Sequence, residues 1–408
     1  MSISETIYSF DINDDSRDNL DSFLNKVKFK YNVPSIHVAG TNGKSTVAYQ
    51  LSNVYQEAGY KTGLFVSSHY MRKVEEMIFI NGEPIDSKEV EKIFNENQKL
   101  FKKFDLSPFD IIVFIALSYF QNSGVELAVI ETGIGGEYDS TNVFVPILSI
   151  ITNISLEHTN ELGVSLSEIA RHKAGIIKDD VPTLIGDING DALDVIVGVA
   201  KRKNSKVTRI SDIHNRKRDE VGTSFEYKTH RDLYIPNLSS VNILNASLVV
   251  DAVDLLVNQF HVSEDALKAG LNHKLPKGKF EVIDKEGIMY VIDTAHNVEA
   301  IRTLRREVDM MVISRETFVI FATTKDKNIT LMLPEIGLLG KVYITTYDNP
   351  KAREESDYFL FLDEYEFAPD YRELIRHIKE EHPIARIVVT GSNVFASKVS
   401  DDVNSGII

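Results

Sequence analysis

Short apolar runs alternate with amphipathic stretches along most of this chain, and that alternation restricts the fold more than any other feature. "SIHVAG", "KTGLFVSS", "LAVIETG" and "ILSIITNIS" read as buried strands bounded by turn residues. Between them, "KSTVAYQLSNVYQEAG" and "SKEVEKIFNENQKLFKKF" read as helices. The pattern predicts a parallel sheet with helices on both faces. Ligands of such sheets bind beyond the carboxyl ends of the strands, where Gly40 to Ser45, Ser67 to His69, Glu131 and His158 fall. A second α/β set starts near residue 280: "FEVID", "IMYVIDTAHN", "TFVIFATT", "KVYITTY" and "ARIVVTGS". "NHKLPKGK", rich in Lys, Pro and Gly, reads as a hinge before it. The expected domains are therefore 1–275 and 276–408. A chain of 408 residues exceeds the roughly 250–300 at which single cores stop growing, which fits two domains.

Composition excludes several classes. No run of about 18 apolar residues occurs, so no membrane span is expected. The N-terminus has no basic segment followed by an apolar one, so no signal peptide is read. The absence of cysteine excludes disulfides, thiol nucleophiles and thiolate metal sites, and fits a cytoplasmic location. A net charge of −15 argues against a nucleic-acid binder. An anionic ligand must be held by local lysines, arginines or a metal ion.

"VAGTNGKSTVA", residues 38–48, resembles a phosphate loop but is too short for the usual G-x-x-x-x-G-K-[ST] spelling. That pattern wants glycine five positions before Gly43, where Val38 stands; Gly40 is only three before. The order of elements is nevertheless strand, Gly-containing turn, helix N-terminus, which is the arrangement that holds a phosphate chain. Gly40 and Gly43 let the backbone approach phosphates, with Thr41 and Asn42 between them. Lys44 can reach terminal phosphates, and Ser45 or Thr46 can face Mg²⁺. Glu131 ends an apolar strand and is followed by "TGIGG"; His158 follows "ITNISLE". With the loop they read as an Mg²⁺–ATP site of hard oxygen ligands and one imidazole. Singly, each also reads as a structural residue.

Taken in order, the segments resemble the Mur-type ATP-dependent amide ligases, and within them the folylpolyglutamate and dihydrofolate synthases, which use a short G-T-N-G-K-x-[ST] loop. "GLFVSSH" is similar to the family's substrate loop, "ETGIGGEYDSTNVF" to E-T-G-x-G-G-R-x-D-[AS]-T-N, and "ITNISLEHTNELG" to I-T-[NS]-I-x-x-D-H-x-x-x-L-G. "HKAGIIK", "DTAHN", "TTKDKN" and "VVTGS" resemble further family segments. The resemblance implies an α/β fold: a parallel-sheet, P-loop-type Mur ligase central domain that binds ATP, followed by a smaller Rossmann-like C-terminal glutamate-ligase domain. It implies that Lys44 contacts the ATP phosphates, that Ser67, Glu131, His158 and Lys173 serve Mg²⁺, and that Asn245 lies on the nucleotide side. Lys279 stands in the place of a family arginine, and Asp293 and His296 resemble residues that meet ATP and the incoming amino acid. The implied substrates are ATP, L-glutamate and a reduced folate, and a monomer is expected. Departures lie on the substrate side: Ser68 replaces a proline, "EEM" (Glu75 to Met77) an E-R-I triplet, and Glu137 an arginine; the family's L-G-N-P stretch is missing. Arginine offers a planar fork for carboxylates that glutamate lacks. Open alternatives are dihydrofolate synthase activity, a cell-wall ligase, and a non-catalytic nucleotide-binding relative.

"SLSEIARHKAG" opens with a capping box, Ser165 and Glu168, and reaches Gly175, a helix stop. Leu166, Ile169, Ala170 and Ala174 are expected on one inward face, with Lys173 among them. An unpaired buried ammonium is costly. Helix position alone is equally compatible with a stem on the core and a head in water. The resemblance implies instead a carbamylated lysine that binds a metal.

Overall fold

The computed structural model of the chain describes residues 2–10, 17–67, 73–311 and 315–408. It divides into two compact units, Met1–Pro236 with Val241–Lys274, and Asn237–Ser240 with Leu275–Ile408.

The first unit carries an eight-stranded sheet: β1 (Ser35–Ala39), β2 (Thr62–Phe65), β3 (Ile78–Ile80), β4 (Glu83–Pro84), β5 (Leu127–Glu131), β6 (Leu148–Ile151), β7 (Thr183–Ile185) and β8 (Val207–Arg209). Their order is β4-β3-β2-β5-β1-β6-β7-β8. The ladders from β2 to β8 are parallel, and β3 and β4 turn back antiparallel at one edge. Alternate residues of one strand serve two cores, as a two-sided sheet requires. Leu127 and Val129 of β5 join Val47, Leu51 and Val54 of the helix Lys44–Glu57, together with the helix Ser240–Leu256. Ala128 and Ile130 face Ile111, Ile115 and Phe120 of the helix Pro108–Asn122. Each fully buried side chain of this size contributes roughly 1.5–3 kcal/mol relative to exposure.

β9 (Ile213–Arg218), β10 (Thr223–Tyr227) and β11 (His230–Ile235) form a separate antiparallel sheet that the sequence reading did not anticipate; β10 alternates buried Thr223, Phe225 and Tyr227, whereas β9 has no apolar pattern. Residues 214–218 of β9 are all exposed, so no alternation marks the strand; backbone pairing with β10 holds it.

In the second unit, β12 (Glu281–Lys285), β13 (Ile288–Ile292), β14 (Glu316–Phe321), β15 (Lys341–Thr345), β16 (Glu366–Ala368) and β17 (Ala385–Thr390) form a sheet in the order β12-β13-β17-β14-β15-β16. Only β12 is antiparallel. Its cores lie on opposite faces: Tyr290, Ile320 and Val389 on one, Val291, Val319 and Val388 on the other.

Candidate active site

The chain leaves β1 and enters the helix Lys44–Glu57 through Gly40–Gly43. Both glycines are required. Gly40 has φ +151°, and a Cβ there would sit 1.9 Å from Thr152 Oγ1. Gly43, the residue before the helix, has φ +85°, and its Cβ would sit 2.6 Å from Asn245 Oδ1. The loop is laced to the segment that follows β6. Thr41 N–H donates to Asn153 O (3.0 Å), Asn42 N–H to Asn153 Oδ1 (2.8 Å), and Thr152 Oγ1 to Asn42 O (2.6 Å). Thr41 Oγ1 accepts from Ser155 N–H at 3.0 Å and donates to Ser155 O at 3.2 Å.

Two lysines meet at the loop. Lys44 Nζ folds back onto the carbonyls of Gly40 and Thr41, each 3.1 Å away. Lys173 Nζ donates to Gly40 O at 2.6 Å. Lys173 is buried, and burial pushes its ammonium down to about 7; the Lys44 charge deepens the depression, while Glu157 and Asp139 oppose it. The helix that carries it, Leu166–Ala174, has the expected capping box of Ser165 and Glu168, and Ile169, Ala170, Lys173 and Ala174 are buried. Leu166 departs from the expected face. It is 43% exposed, because it opens the helix directly after the exposed Val164 and Ser165, a turn before the buried Ile169 and Ala170.

Parallel pairing sets Glu131 opposite Val38 of β1, and so beside the loop. Its carboxylate is buried and accepts Ser45 Oγ at 2.9 Å and the Ser67 amide at 3.1 Å. Ser67 Oγ turns to Thr132 O (2.7 Å). Thr46 is buried in the first helical turn. His158 adopts a left-handed backbone (φ +50°) before a short helix, with Nε2 3.9 Å from Glu157 Oε1. Among the described residues, no three His, Asp or Glu side chains converge on one point. The expected metal set differs in kind, being a hydroxyl, a carboxylate, an imidazole and a carbamate. Asn245 faces Gly43 and donates to Asn242 Oδ1 at 3.2 Å. Ser68 and His69 lie outside the described residues.

In the second unit, Asp293, Lys279 and His296 form one cluster at the end of β13. Asp293 accepts the amides of Phe280 (2.9 Å) and Ala295 (2.8 Å). Burial pushes its carboxyl up to about 6, against the pull of Lys279. Lys279 Nζ donates to Thr294 Oγ1 at 3.0 Å, and His296 Nδ1 to Thr294 O at 2.7 Å.

Reading the sequence placed Thr152, Asn153 and Ser155 in a family-like segment but gave them no role, and it did not single out the buried chain His37–Thr141–Asp139. In that chain His37 Nε2 and Thr141 Oγ1 lie 2.9 Å apart, and Thr141 bonds Asp139 in turn. An asparagine and two hydroxyls directly after an apolar strand were the available signal. A cavity of about 520 Å³ opens at the carboxyl ends of β7 and β8, lined by Asp187, Arg209, His214 and Leu244 among others; none of the expected site residues lines it.

Residues 38–253 match the Mur ligase middle domain, and residues 278–393 match the Mur ligase, glutamate ligase domain. A dihydrofolate synthase/folylpolyglutamate synthase of Bacillus subtilis is 31% identical over 388 residues, covering 90% of each chain. A folylpolyglutamate synthase of Lacticaseibacillus casei is 29% identical over 389 residues, covering 91% of this chain and 90% of that one. A solved FPGS–AMPPCP–folate complex superposes with a TM-score of 0.85 at 26% identity, over 99% of this chain and all of the other (100%). Fold, loop and relatives together define an ATP-dependent ligase. The chain belongs to the Mur ligase family.

Proposed function

We propose that this ligase joins L-glutamate to the glutamate tail of a reduced folate through an acyl phosphate. The observation that carries the reading is the Gly40–Thr46 loop, on which Lys44, Lys173 and the Ser45–Glu131 pair converge. A carboxylate is a poor electrophile, and amide formation in water is uphill. Transfer of the ATP γ-phosphoryl group to the carboxylate makes an acyl phosphate. The glutamate amine attacks its carbonyl carbon, and the tetrahedral adduct expels phosphate. Catalysis of phosphoryl transfer is mostly positioning and electrostatics. Lys44 and the amides of the first helical turn supply positive charge for the phosphates.

The buried Glu131 carboxylate, in contact with the Ser45 hydroxyl, is a hard-oxygen donor set that fits Mg²⁺. Glu131, Ser67, His158 and a Lys173 carbamate are the proposed holders. Bound there, Mg²⁺ would offset phosphate charge. The depressed Lys173 ammonium supports the carbamate, since only the neutral amine captures CO₂. Asp293, His296 and Lys279 are proposed to serve nucleotide and glutamate handling, and Asn245 the nucleotide.

A second reading, dihydrofolate synthesis from dihydropteroate, draws support from the double name of the Bacillus subtilis relative. The deciding experiment measures ADP release with L-glutamate and, in parallel, tetrahydrofolate, dihydropteroate or a UDP-muramyl peptide. Stimulation by tetrahydrofolate is expected. Stimulation by the muramyl peptide alone, or by none of the three, refutes the proposal.

A further inference from the structure

The phosphate loop has only two residues between Gly40 and Gly43, too few to fold back and satisfy its own backbone. The segment that follows β6 does much of it instead. Ala39 O accepts the Thr152 amide (2.9 Å), and Asn42 O accepts the Thr152 hydroxyl (2.6 Å). The amides of Thr41 and Asn42 both go to Asn153, one to its carbonyl and one to its side chain. Two loop amides are thus turned towards the segment after β6. The amides of Lys44, Ser45 and Thr46 precede the first helical bond, from Val47 N–H to Gly43 O (3.0 Å), so the helix leaves them open at its positive end. The Thr152 hydroxyl also fills the space a Cβ of residue 40 would need.

We infer that Thr152 and Asn153 are positioning residues which shape the short loop from outside, doing what the additional residues of a longer loop would do, and so set its affinity for the nucleotide phosphates. They act through the loop, not by touching the ligand. The same segment runs on to Glu157 and His158, so the clamp also fixes the spacing between the loop and that end of the site. This inference rests on the ATP-ligase reading of the loop and is independent of which carboxylate is the substrate.

Thr152→Val keeps the shape of the side chain and removes the hydroxyl; Thr152→Ser keeps the hydroxyl. Calorimetric titration with AMPPCP, with an unfolding midpoint for each protein, separates a positioning role from a merely structural one. Binding by the wild type is the separate control for the nucleotide reading. Thr152→Val should weaken AMPPCP binding about five- to tenfold, the share of one partly buried hydrogen bond, and Thr152→Ser should restore it to within about twofold. Asn153→Ala, which frees the Asn42 amide, should weaken binding to a similar extent and serves as the test if Thr152→Val does not fold. A lowered unfolding midpoint with wild-type AMPPCP affinity in the folded variant would overturn the inference. So would a Thr152→Ser protein as weak as Thr152→Val.

Discussion

Replacing Lys173 by methionine should remove a pH dependence of stability that the wild type carries. The ammonium of Lys173 falls from 10.5 to about 7 because it is buried, and Lys44 adds to the effect. Between those values the unfolded chain holds a proton that the folded chain does not. Wild-type stability therefore rises with pH through that window; the full burden is present below about 7 and gone above about 10.5. The gap corresponds to about 5 kcal/mol at its limit, and about 2 kcal/mol of it is relieved between about pH 7 and pH 9. Lys173→Met loses the hydrogen bond to Gly40 O, which lowers stability by a roughly constant amount of about 1 kcal/mol at every pH. The slope is thus the readout. Urea unfolding of the larger unit, followed by circular dichroism in CO₂-depleted buffers, gives it for both proteins. The many tyrosines titrate in both and cancel in the difference. Parallel pH profiles would refute the reasoning, because they would mean that the folded protein binds the Lys173 proton as tightly as the unfolded chain.

Lys44→Ala should lower ATP turnover by about 10²-fold or more while the unfolding transition stays in place, measured as ADP release; wild-type turnover would remove Lys44 from the phosphate site. Gly43→Ala forces a side chain into a left-handed backbone and against Asn245, so a loss of about 1–3 kcal/mol in unfolding free energy is expected, together with weaker AMPPCP binding. Gln50 is fully buried in the helix Lys44–Glu57, and neither its Oε1 nor its Nε2 has a hydrogen-bond partner among the described residues. Gln50→Leu should therefore stabilise the chain by about 1–3 kcal/mol in urea unfolding, and a destabilised variant would show that the amide is satisfied in solution.

The parallel strands were legible because a strand buried on both faces must be a short apolar run, and "SIHVAG", "LAVIETG" and "ILSIITNIS" are such runs. Lys44 and the glycines were legible because the loop spells its own geometry locally. Glu131 was legible as a strand end, but its nearness to Ser45 depends on the register of β1 against β5, which no local pattern encodes. The bonds from Thr152 and Asn153 to Asn42 span 110 and 111 residues of sequence and belong to the same kind. β9 escaped for another reason: its residues 214–218 meet water, so its pairing leaves no trace in hydropathy.

The position of β1 in its sheet has a consequence for how the protein is made. β1 is the earliest strand among the described residues, yet its ladder partners are β5 and β6, and Ser35 pairs with Ala128, 93 residues later. Every strand formed before β5 leaves β1 with both edges bare. As the chain leaves the ribosome, the first strand waits until residues near 150 have emerged, and the phosphate loop has no clamp until then. Pairings of such long range are slow to form and leave unpaired edges exposed meanwhile. Nucleotide affinity thus waits for residues more than 100 positions beyond the loop, although the residues that spell it sit close to the start of the chain.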